Sequence, residues 1–214
     1  MKEMSKIPDF PYIAEHIFAP IYPVIAARIV EESGIRKGIC LDLGCGIASL
    51  GIALAELTEL QVCGVDFSGK MCRLSRNKAC RHSLSARVAP LQADVHELPF
   101  GDCCADLIVS RGSVFFWNDL LLAFSEIARV LSSGGQAWVG GGFGTGKLKN
   151  EISEKMASID PQWKTDSKKR LSSETRQAIQ AAGRQTGLTC RTVQDDSGFW
   201  VVLSKGNPGW TKEH

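Results

Sequence analysis

The sequence predicts an α/β fold in which a mainly parallel sheet carries helices on both faces. Two observations support this prediction. Short apolar runs alternate with helix-like stretches over most of the chain, which is the pattern of repeated βαβ units. In addition, the last two apolar runs are separated only by the turn-forming segment Asp195-Asp196-Ser197-Gly198, so they must pair as an antiparallel hairpin.

Each element follows from local composition, since the strands are apolar runs bounded by turn residues and the helices have helical spacing or polar surfaces. One helix begins at a cap formed by Asn118 or Asp119, and the segment 132–135 is predicted as the turn that ends it. The glycine-rich segment 140–146 is predicted as a loop. The predicted strands are 39–43, 61–67, 88–92, 106–110, 136–140, 189–194 and 199–204, and the predicted helices are 48–57, 70–83, about 120–131, 150–159 and 172–186.

Length and charge restrict the organisation of the chain. At 214 residues it is long enough for one well-buried core and short for two domains. We therefore expect one domain over 1–214, with an N-terminal helical cap at 1–37 and a core at 38–205. The net charge of +2 argues against a broad surface for nucleic acid. The basic segment 164–176 is interpreted as a solvated linker and helix start.

The sequence carries no targeting or metal-binding signal. The chain has no apolar stretch near the ~20 residues that a membrane span needs, and residues 1–11 lack the apolar core of a signal peptide. We therefore expect a cytoplasmic protein without a membrane partner. The eight cysteines form no C-x-x-C pair and the four histidines show no ligand spacing, so we expect free thiols and no metal. None of these patterns predicts an oligomeric state.

The strongest local signal is the segment 41–48, which reads LDLGCGIA. An apolar strand leads to Gly44 and Gly46, whose missing side chains allow a tight turn and a close approach of the backbone to a ligand. The helix that follows points its N-terminal amides at the same place. Asp66 ends the second strand, 22 residues after Gly44. An acidic residue about 20 residues past the glycines is where a ribose diol is bound.

Two residues distinguish between the cofactors that fit this geometry. The dinucleotide fingerprint requires a third glycine, and the chain has Ser49 at that position. Asp42 precedes Gly44 by two residues; its carboxylate would repel a pyrophosphate but would receive the ammonium group of an amino-acid tail, directly or through water. This favours S-adenosylmethionine (SAM) over NAD.

The sequence resembles the class I SAM-dependent methyltransferases, and within them the small-molecule branch that includes the ubiquinone/menaquinone-biosynthesis enzymes. The resemblance extends from about residue 35 to 139 and more weakly to 205. It rests on four motifs in the family's order: LDLGCG at 41–46 for the glycine loop, GVDFS at 64–68 for the ribose motif, QADV at 92–95 with LPF at 98–100 for the adenine motif, and EIARVLSSGG at 126–135 before the fifth strand.

The resemblance implies a Rossmann-like, seven-stranded, mainly parallel sheet with a final antiparallel hairpin strand. It also implies that Asp66 binds the two ribose hydroxyls, that Asp94 accepts the adenine amino group, and that the Val95 amide serves a ring nitrogen. SAM would be the cofactor and S-adenosylhomocysteine the product. The predicted cofactor-binding residues are Asp42, Gly44, Cys45, Gly46, Asp66, Phe67, Asp94, Val95, Ser110 and Arg111.

Departures from related patterns narrow the acceptor. The fourth strand ends Ser110-Arg111-Gly112-Ser113, and not in the acidic-or-Asn, Pro, Pro, aromatic tetrapeptide of amino-group methyltransferases acting on adenine, cytosine or glutamine. A G-x-x-x-x-G-K match at 141–147 lacks the hydroxyl that must reach Mg²⁺, because Leu148 follows it. We therefore interpret that segment as a loop near the acceptor, and not as a nucleotide-phosphate site.

Ligands of open α/β sheets bind outside the carboxyl ends of the strands, which places several further residues near the acceptor. Arg111 is predicted to contact an anion, either of the acceptor or of the SAM carboxylate. His16 and Arg111 are the candidate catalytic residues, and no metal is expected. The predicted acceptor pocket consists of Tyr12, Arg111, Ser113, Phe116, Trp117 and Phe143.

The favoured function is the transfer of a methyl group from SAM to an unidentified small molecule by in-line displacement. Three alternatives stay open at this point: an RNA or protein methyltransferase, a SAM-binding protein without catalysis, and a NAD-dependent oxidoreductase. The chain displays no obvious surface for a macromolecular acceptor, so no nucleic-acid partner is expected. Ser49 and Asp42 speak against the oxidoreductase.

Overall fold

A computed structural model describes residues 7–206 of the chain, so the predicted cap and the predicted domain both extend beyond the described residues. Seven strands and eight α-helices alternate along this range. The strands are β1 (Ile39–Leu43), β2 (Gln61–Asp66), β3 (Val88–Gln92), β4 (Ala105–Arg111), β5 (Leu131–Gly142), β6 (Thr189–Asp195) and β7 (Gly198–Ser204). The helices are α1 (Phe10–Tyr12), α2 (Ile21–Ser33), α3 (Ser49–Leu57), α4 (Gly69–Arg81), α5 (Leu120–Val130), α6 (Gly146–Ile159), α7 (Trp163–Arg170) and α8 (Ser173–Gln185), with a π-helical turn at Ile13–Ile17 and a 3₁₀ turn at Val114–Phe116.

All seven strands form one sheet in the order β3-β2-β1-β4-β5-β7-β6. The first five strands are parallel, and β7 pairs antiparallel with both β5 and β6. This confirms the predicted seven-stranded, mainly parallel sheet with a closing hairpin. Parallel order brings the carboxyl ends of β1 to β5 to one edge, where open α/β sheets bind their ligands.

Apolar side chains fill both faces of the sheet. On one face α2, α3 and α6 pack over Cys40, Leu107 and Trp138, and on the other α5 and α8 pack over Leu41 and Ile108. Alternate residues of one strand therefore serve opposite layers, which is why the central strands are apolar throughout. Each fully buried large side chain of this kind contributes about 1.5–3 kcal/mol relative to an exposed one.

Besides the short α1, which Asp9 caps, four helices begin at a side-chain cap of the type that the sequence favours. In each case the cap oxygen accepts a hydrogen bond from the amide three residues later, which satisfies one of the free donors of the first turn. Asp119, and not Asn118, caps α5. The other caps are Ser68 on α4, Thr145 on α6 and Ser172 on α8. The cap at Thr145 shows that the G-x-x-x-x-G-K segment enters an ordinary helix.

Three predictions were wrong. The segment 132–135 was predicted as a turn and part of 140–146 as a loop, but β5 includes both as far as Gly142. Gly134 adopts φ +79° and the β4–β5 register shifts near it, so a glycine-dependent irregularity lies within the strand instead of ending it. The basic segment predicted as a linker contains α7.

Among residues 7–206, no single helix has both the length and the apolar composition to span a membrane. The two N-terminal helical segments, Phe10–Ile17 and Ile21–Ser33, meet those criteria only when taken together, and they are bent by 74° at the break between them. All eight cysteines are free thiols.

Candidate functional site

A cavity of about 890 Å³ opens at the carboxyl edge of the sheet. Residues that follow β1, β2 and β3 line one end, which we call the β1–β3 side. The other end, the β4–β5 side, is lined by residues after β4 and β5 together with residues of the N-terminal helices, α6 and α7. One continuous space of this volume lies in the range of small-molecule sites.

The glycine loop forms the floor of the β1–β3 side. Gly44 has φ +66° and Gly46 has φ +57°, values that L side chains rarely adopt. A Cβ atom on Gly44 would lie 1.9 Å from Ser113 Oγ, so the loop packs directly against the residues after β4. The amides of Gly44 and Cys45 both donate to the Val65 carbonyl, at 2.8 and 3.0 Å. These bonds fix the loop on the end of β2.

Asp66 is held in place by the backbone on both of its oxygens. Oδ2 accepts from the Gly46 amide at 2.8 Å, and Oδ1 accepts from the Ser68 amide at 2.9 Å. Each carboxylate oxygen has further acceptor capacity, and the side chain lines the cavity. The adjacent Phe67 ring is 78% exposed, which leaves an apolar face beside the carboxylate. The pair therefore suits a ligand that has hydroxyls next to a flat ring.

Asp94 is linked through His96 to the start of α5. Asp94 Oδ1 accepts from the His96 amide at 2.9 Å and lies 2.6 Å from His96 Nδ1, while His96 Nε2 lies 3.3 Å from the Asp119 amide. An amide can only donate, so this arrangement assigns the proton to Nδ1. Hydrogen bonds from His96 lower the pKa of Asp94, and the bond from the His96 amide has the largest effect. This carboxylate is therefore ionised at neutral pH. Its second oxygen is left to accept from a ligand.

Asp42 lies beneath the glycine loop and is 2% exposed. Its Oδ2 accepts a hydrogen bond from the Gly51 amide at 3.0 Å. Burial raises the pKa of the carboxyl group to about 7, the Gly51 bond opposes this, and the charge of Asp66 adds to it. Asp42 also lines the cavity. It is therefore close to half-ionised at neutral pH and would ionise fully beside a cation.

Arg111 is the central feature of the β4–β5 side. Its guanidinium carbon lies 4.9, 5.7 and 5.4 Å from the ring centroids of Phe18, Tyr22 and Phe143. Its Nε donates to the Gly142 carbonyl at 3.2 Å. Burial lowers the pKa of Arg111, although an arginine stays charged in proteins. Within residues 7–206, no carboxylate lies within the 4.0 Å ion-pair distance of this side chain. The geometry thus leaves a cation in the cavity without an anionic partner.

Tyr22 accompanies Arg111 on the same wall. Burial raises the pKa of the Tyr22 phenol, while the neighbouring Arg111 and the Ser49 hydroxyl lower it. The net direction is upward, so the phenol keeps its proton at neutral pH and acts as a hydrogen-bond donor. Ser49 in turn accepts from the buried Lys78 Nζ at 2.7 Å.

The structure brings most of the predicted site residues to this cavity, and three of them lie elsewhere. Tyr12 and His16 are exposed and outside the cavity lining, with their rings 4.4 Å apart, and Ser110 is fully buried with no hydrogen-bond partner for Oγ. The predicted residues that line the cavity are Asp42, Gly44, Cys45, Gly46, Asp66, Phe67, Asp94, Val95, Arg111, Ser113, Phe116, Trp117 and Phe143.

Sequence reasoning missed part of the β4–β5 side. Trp163, Ser167 and Arg170 line the cavity from one face of α7. Their spacing of four and three residues places them on one helix face, and this was the available signal. Asp160 precedes the helix, and its Oδ1 accepts from the Gln162 amide at 2.9 Å. The other missed lining residues include Phe10, Ile13, Met71, His96, Met156 and Leu171.

Around the described residues no cluster of three or more His, Cys, Asp or Glu side chains is arranged to hold a metal ion. The cavity lining contains carboxylates, two arginines and aromatic rings, and these groups determine what the cavity can bind.

Comparison with known proteins gives consistent results. The methyltransferase domain family matches residues 41–139. A protein of Methanococcus maripaludis, assigned as a SAM-dependent methyltransferase, has a crystal structure that matches with a TM-score of 0.88 and 40% identity, over 93% of this chain and 91% of that one.

Two curated relatives match shorter regions. The demethylmenaquinone methyltransferase of Staphylococcus aureus is 32% identical over 111 residues, which is 50% of this chain and 45% of that protein. An O-methyltransferase of Penicillium expansum is 30% identical over 116 residues, 52% of this chain and 42% of that protein. The chain thus aligns with less than half the length of these curated relatives. The fold, the site and the 40% identical structure together show that the chain belongs to the family of class I SAM-dependent methyltransferases.

Proposed function

We propose that this protein transfers a methyl group from SAM to a small-molecule acceptor. The observation that supports the proposal most directly is the single cavity, which joins three fixed carboxylates on its β1–β3 side to an aromatic, arginine-containing β4–β5 side. Donor and acceptor would then meet in one continuous space. The demethylmenaquinone and O-methyltransferase relatives act on small molecules according to their names, which agrees with the proposal.

The residues of the β1–β3 side fit the nucleoside part of SAM. Asp66 would accept hydrogen bonds from both ribose hydroxyls, since its oxygens are already oriented by two backbone amides. The free oxygen of Asp94 would accept from the adenine amino group, and Phe67 would cover the ring. Gly44 and Gly46 would let the ligand lie against the backbone. A side chain at either position would in addition collide with neighbouring residues of the protein.

The amino-acid part of SAM would lie beyond the carboxyl ends of β1 and β4. These strands are neighbours in the sheet, about 4.8 Å apart. Asp42 at the end of β1 would attract the ammonium group, and Arg111 at the end of β4 would bind the carboxylate. A zwitterion carries both groups on one carbon atom, so a carboxylate and a guanidinium on adjacent strands are suitably spaced. This assigns to Arg111 the partner that the protein itself does not provide.

SAM supplies an electrophilic methyl group on a sulfonium, so the protein does not have to activate the carbon. The residues of the cavity would orient the acceptor in line with that bond and exclude water from it. Phe18, Tyr22 and Phe143 would contribute the apolar wall on which Arg111 rests. Neither His16, which lies outside the cavity lining, nor Arg111, which keeps its proton, has the geometry of a general base, so we assign no base to the reaction.

The first test is calorimetric titration with SAM, S-adenosylhomocysteine and NAD. We expect micromolar binding of both sulfur ligands, none of NAD, and a loss of at least a hundredfold in Asp66→Ala. Asp102→Ala is the matched control, because that carboxylate is exposed and pairs with Arg129 away from the cavity. An acceptor screen that measures S-adenosylhomocysteine release then separates an enzyme from a binding protein without catalysis. Absence of binding by either sulfur ligand would refute the proposal.

The observations bear differently on the oxidoreductase and on a macromolecular methyl acceptor. Membership of the SAM-dependent family removes the NAD-dependent oxidoreductase. An RNA or protein acceptor would need a docking surface in addition to this cavity, and no observation favours one over a small molecule. The expected cytoplasmic location stays a prediction.

A further inference from the structure

From the structure we propose that α7 selects the acceptor, and that the acceptor is a small anion with an apolar body whose carboxylate or phosphate group binds Arg170. This inference rests on the proposed methyl transfer and names the substrate class for the same cavity. Three observations support it: the placement of α7, the environment of Arg170, and the charge distribution along the cavity.

The placement of α7 is unusual for a helix of this protein. None of its residues is buried, which among the described helices is otherwise true only of the three-residue α1, and its half-buried Trp163 packs against the core. One face nevertheless points into the cavity, through Trp163, Ser167 and Arg170. Trp163 packs edge-on against Phe143, with 6.3 Å between the ring centroids, which fixes the helix against the end of β5. The helix is thus held by the cavity wall and supplies part of that wall.

The guanidinium of Arg170 is oriented but unpaired. It lies 5.6 Å from the ring centroid of Phe116, which follows β4 and is 67% exposed. Stacking on a ring uses the flat face of a guanidinium and leaves its N–H edge free for a planar or tetrahedral anion. Within the described part of the chain no carboxylate lies within ion-pair distance of Arg170, whereas Arg28, Arg81 and Arg129 each pair with at least one.

Charge is distributed unevenly along the cavity. The β1–β3 side contains Asp42, Asp66 and Asp94, which suits a positively charged sulfonium and ammonium. The β4–β5 side contains both cavity arginines and one carboxylate, that of Asp160, which already accepts from a backbone amide. The exposed surface of α7, outside the cavity lining, carries Lys164, Lys168 and Lys169 together with Asp166. An anion would therefore be attracted to the β4–β5 side.

A purely structural explanation accounts for only part of this pattern. Cations in the last turn of a helix interact favourably with its dipole, and this applies to Lys168, Lys169 and Arg170 alike. It does not account for the position of the Arg170 guanidinium over the ring of Phe116 in the cavity lining. The aromatic partner also indicates the rest of the ligand: a body that packs against Phe116 and Trp163 while its anionic group faces Arg170.

The test measures small-anion binding to protein saturated with S-adenosylhomocysteine. The probes are benzoate and phenyl phosphate as anions, and benzamide as a neutral molecule of similar shape. We expect both anions to bind more tightly than benzamide, and Arg170→Gln to weaken both about tenfold to a hundredfold without changing benzamide. Arg170→Lys should recover only part of the loss, since an ammonium lacks the planar fork. The preferred anion distinguishes a carboxylate from a phosphate acceptor.

Lys169→Gln is the matched control, because it removes an equal charge from the same helix outside the cavity lining. We expect it to change anion binding by less than about twofold. Equal losses in the two variants, or equal affinity of the wild type for benzoate, phenyl phosphate and benzamide, would overturn the proposal. So would tight, steeply salt-dependent binding of a short mixed-sequence RNA that depends on both residues, because that result indicates a polyanion surface. Failure of S-adenosylhomocysteine to bind would instead refute the proposed function, at the step before any anion is added.

Discussion

The buried Asp42 carboxyl predicts a pH dependence of SAM binding. Its pKa of about 7 means that at pH 6 about nine-tenths of the free protein carries a proton on this group. Only the ionised form pairs with an ammonium. Binding of SAM at pH 6 should therefore release close to one proton, and the dissociation constant should fall about tenfold between pH 5.5 and 7, equivalent to about 1.4 kcal/mol.

The assay is calorimetry in two buffers that differ in ionisation enthalpy, since the difference in heat counts the protons released. The control is Asp42→Asn, which keeps an oxygen for the Gly51 amide but cannot ionise. In this variant proton release should vanish, and the pH dependence of binding should flatten. Any contribution from the histidines would persist in the variant and can be subtracted. Equal proton release in the two proteins would refute the assignment of Asp42 to the ammonium group.

Three further outcomes follow from the same structure. The folded pKa of Asp42 lies above its unfolded value of 3.8, so the contribution of this group to the stability of the free protein is fully present below about pH 4 and falls by up to about 4 kcal/mol as pH rises from there through 7; denaturant titrations should show a smaller loss over this range in Asp42→Asn. Gly44→Ala should abolish SAM binding because its Cβ would meet Ser113, whereas Gly34→Ala, with φ +71° and open space around it, should cost about 1 kcal/mol in thermal unfolding and leave binding intact. Arg111→Gln should weaken SAM at least tenfold but not decarboxylated SAM, and equal weakening of both ligands would contradict a carboxylate contact.

The sequence predicted the sheet and the β1–β3 side well, for physical reasons. Strands buried on both faces read as continuous apolar runs, so β1, β2 and β4 were visible within one or two residues of their ends. Gly44 and Gly46 adopt positive φ values that other residues disfavour, and Asp66 ends a strand that lies next to β1. Local chemistry and tertiary structure agree at this end of the cavity.

The β4–β5 side of the cavity was harder to predict, because the hydrophobicity of its residues shows little periodicity along the sequence. An apolar stripe reveals a helix that packs on a core, and α7 has no fully buried residue to form one. Tyr12 and His16 were expected near the ligand because they belong to the N-terminal segment. That segment does line the cavity, through Phe10, Ile13, Phe18 and Tyr22, whereas the side chains of Tyr12 and His16 are exposed outside the lining.

Ser110 shows a third limit. It precedes Arg111 in β4, and successive side chains of a strand point to opposite sides. The sequence identified the end of the strand but not which of the two neighbours lines the cavity. Arg111 does, and Ser110 is turned into the protein.

The lack of buried residues in α7 has an evolutionary consequence. Substitutions on a helix without fully buried residues cost little global stability, so this segment can vary in lineages where the core cannot. The carboxylates that are proposed to hold the methyl donor are anchored by hydrogen bonds from backbone amides of α3 and of the loops after β1 and β3, and would be lost with the sheet. A new acceptor could therefore arise by exchanging a few side chains between positions 163 and 170, while the chemistry of donation is inherited unchanged. Laboratory libraries restricted to the cavity face of this one helix would explore that route directly.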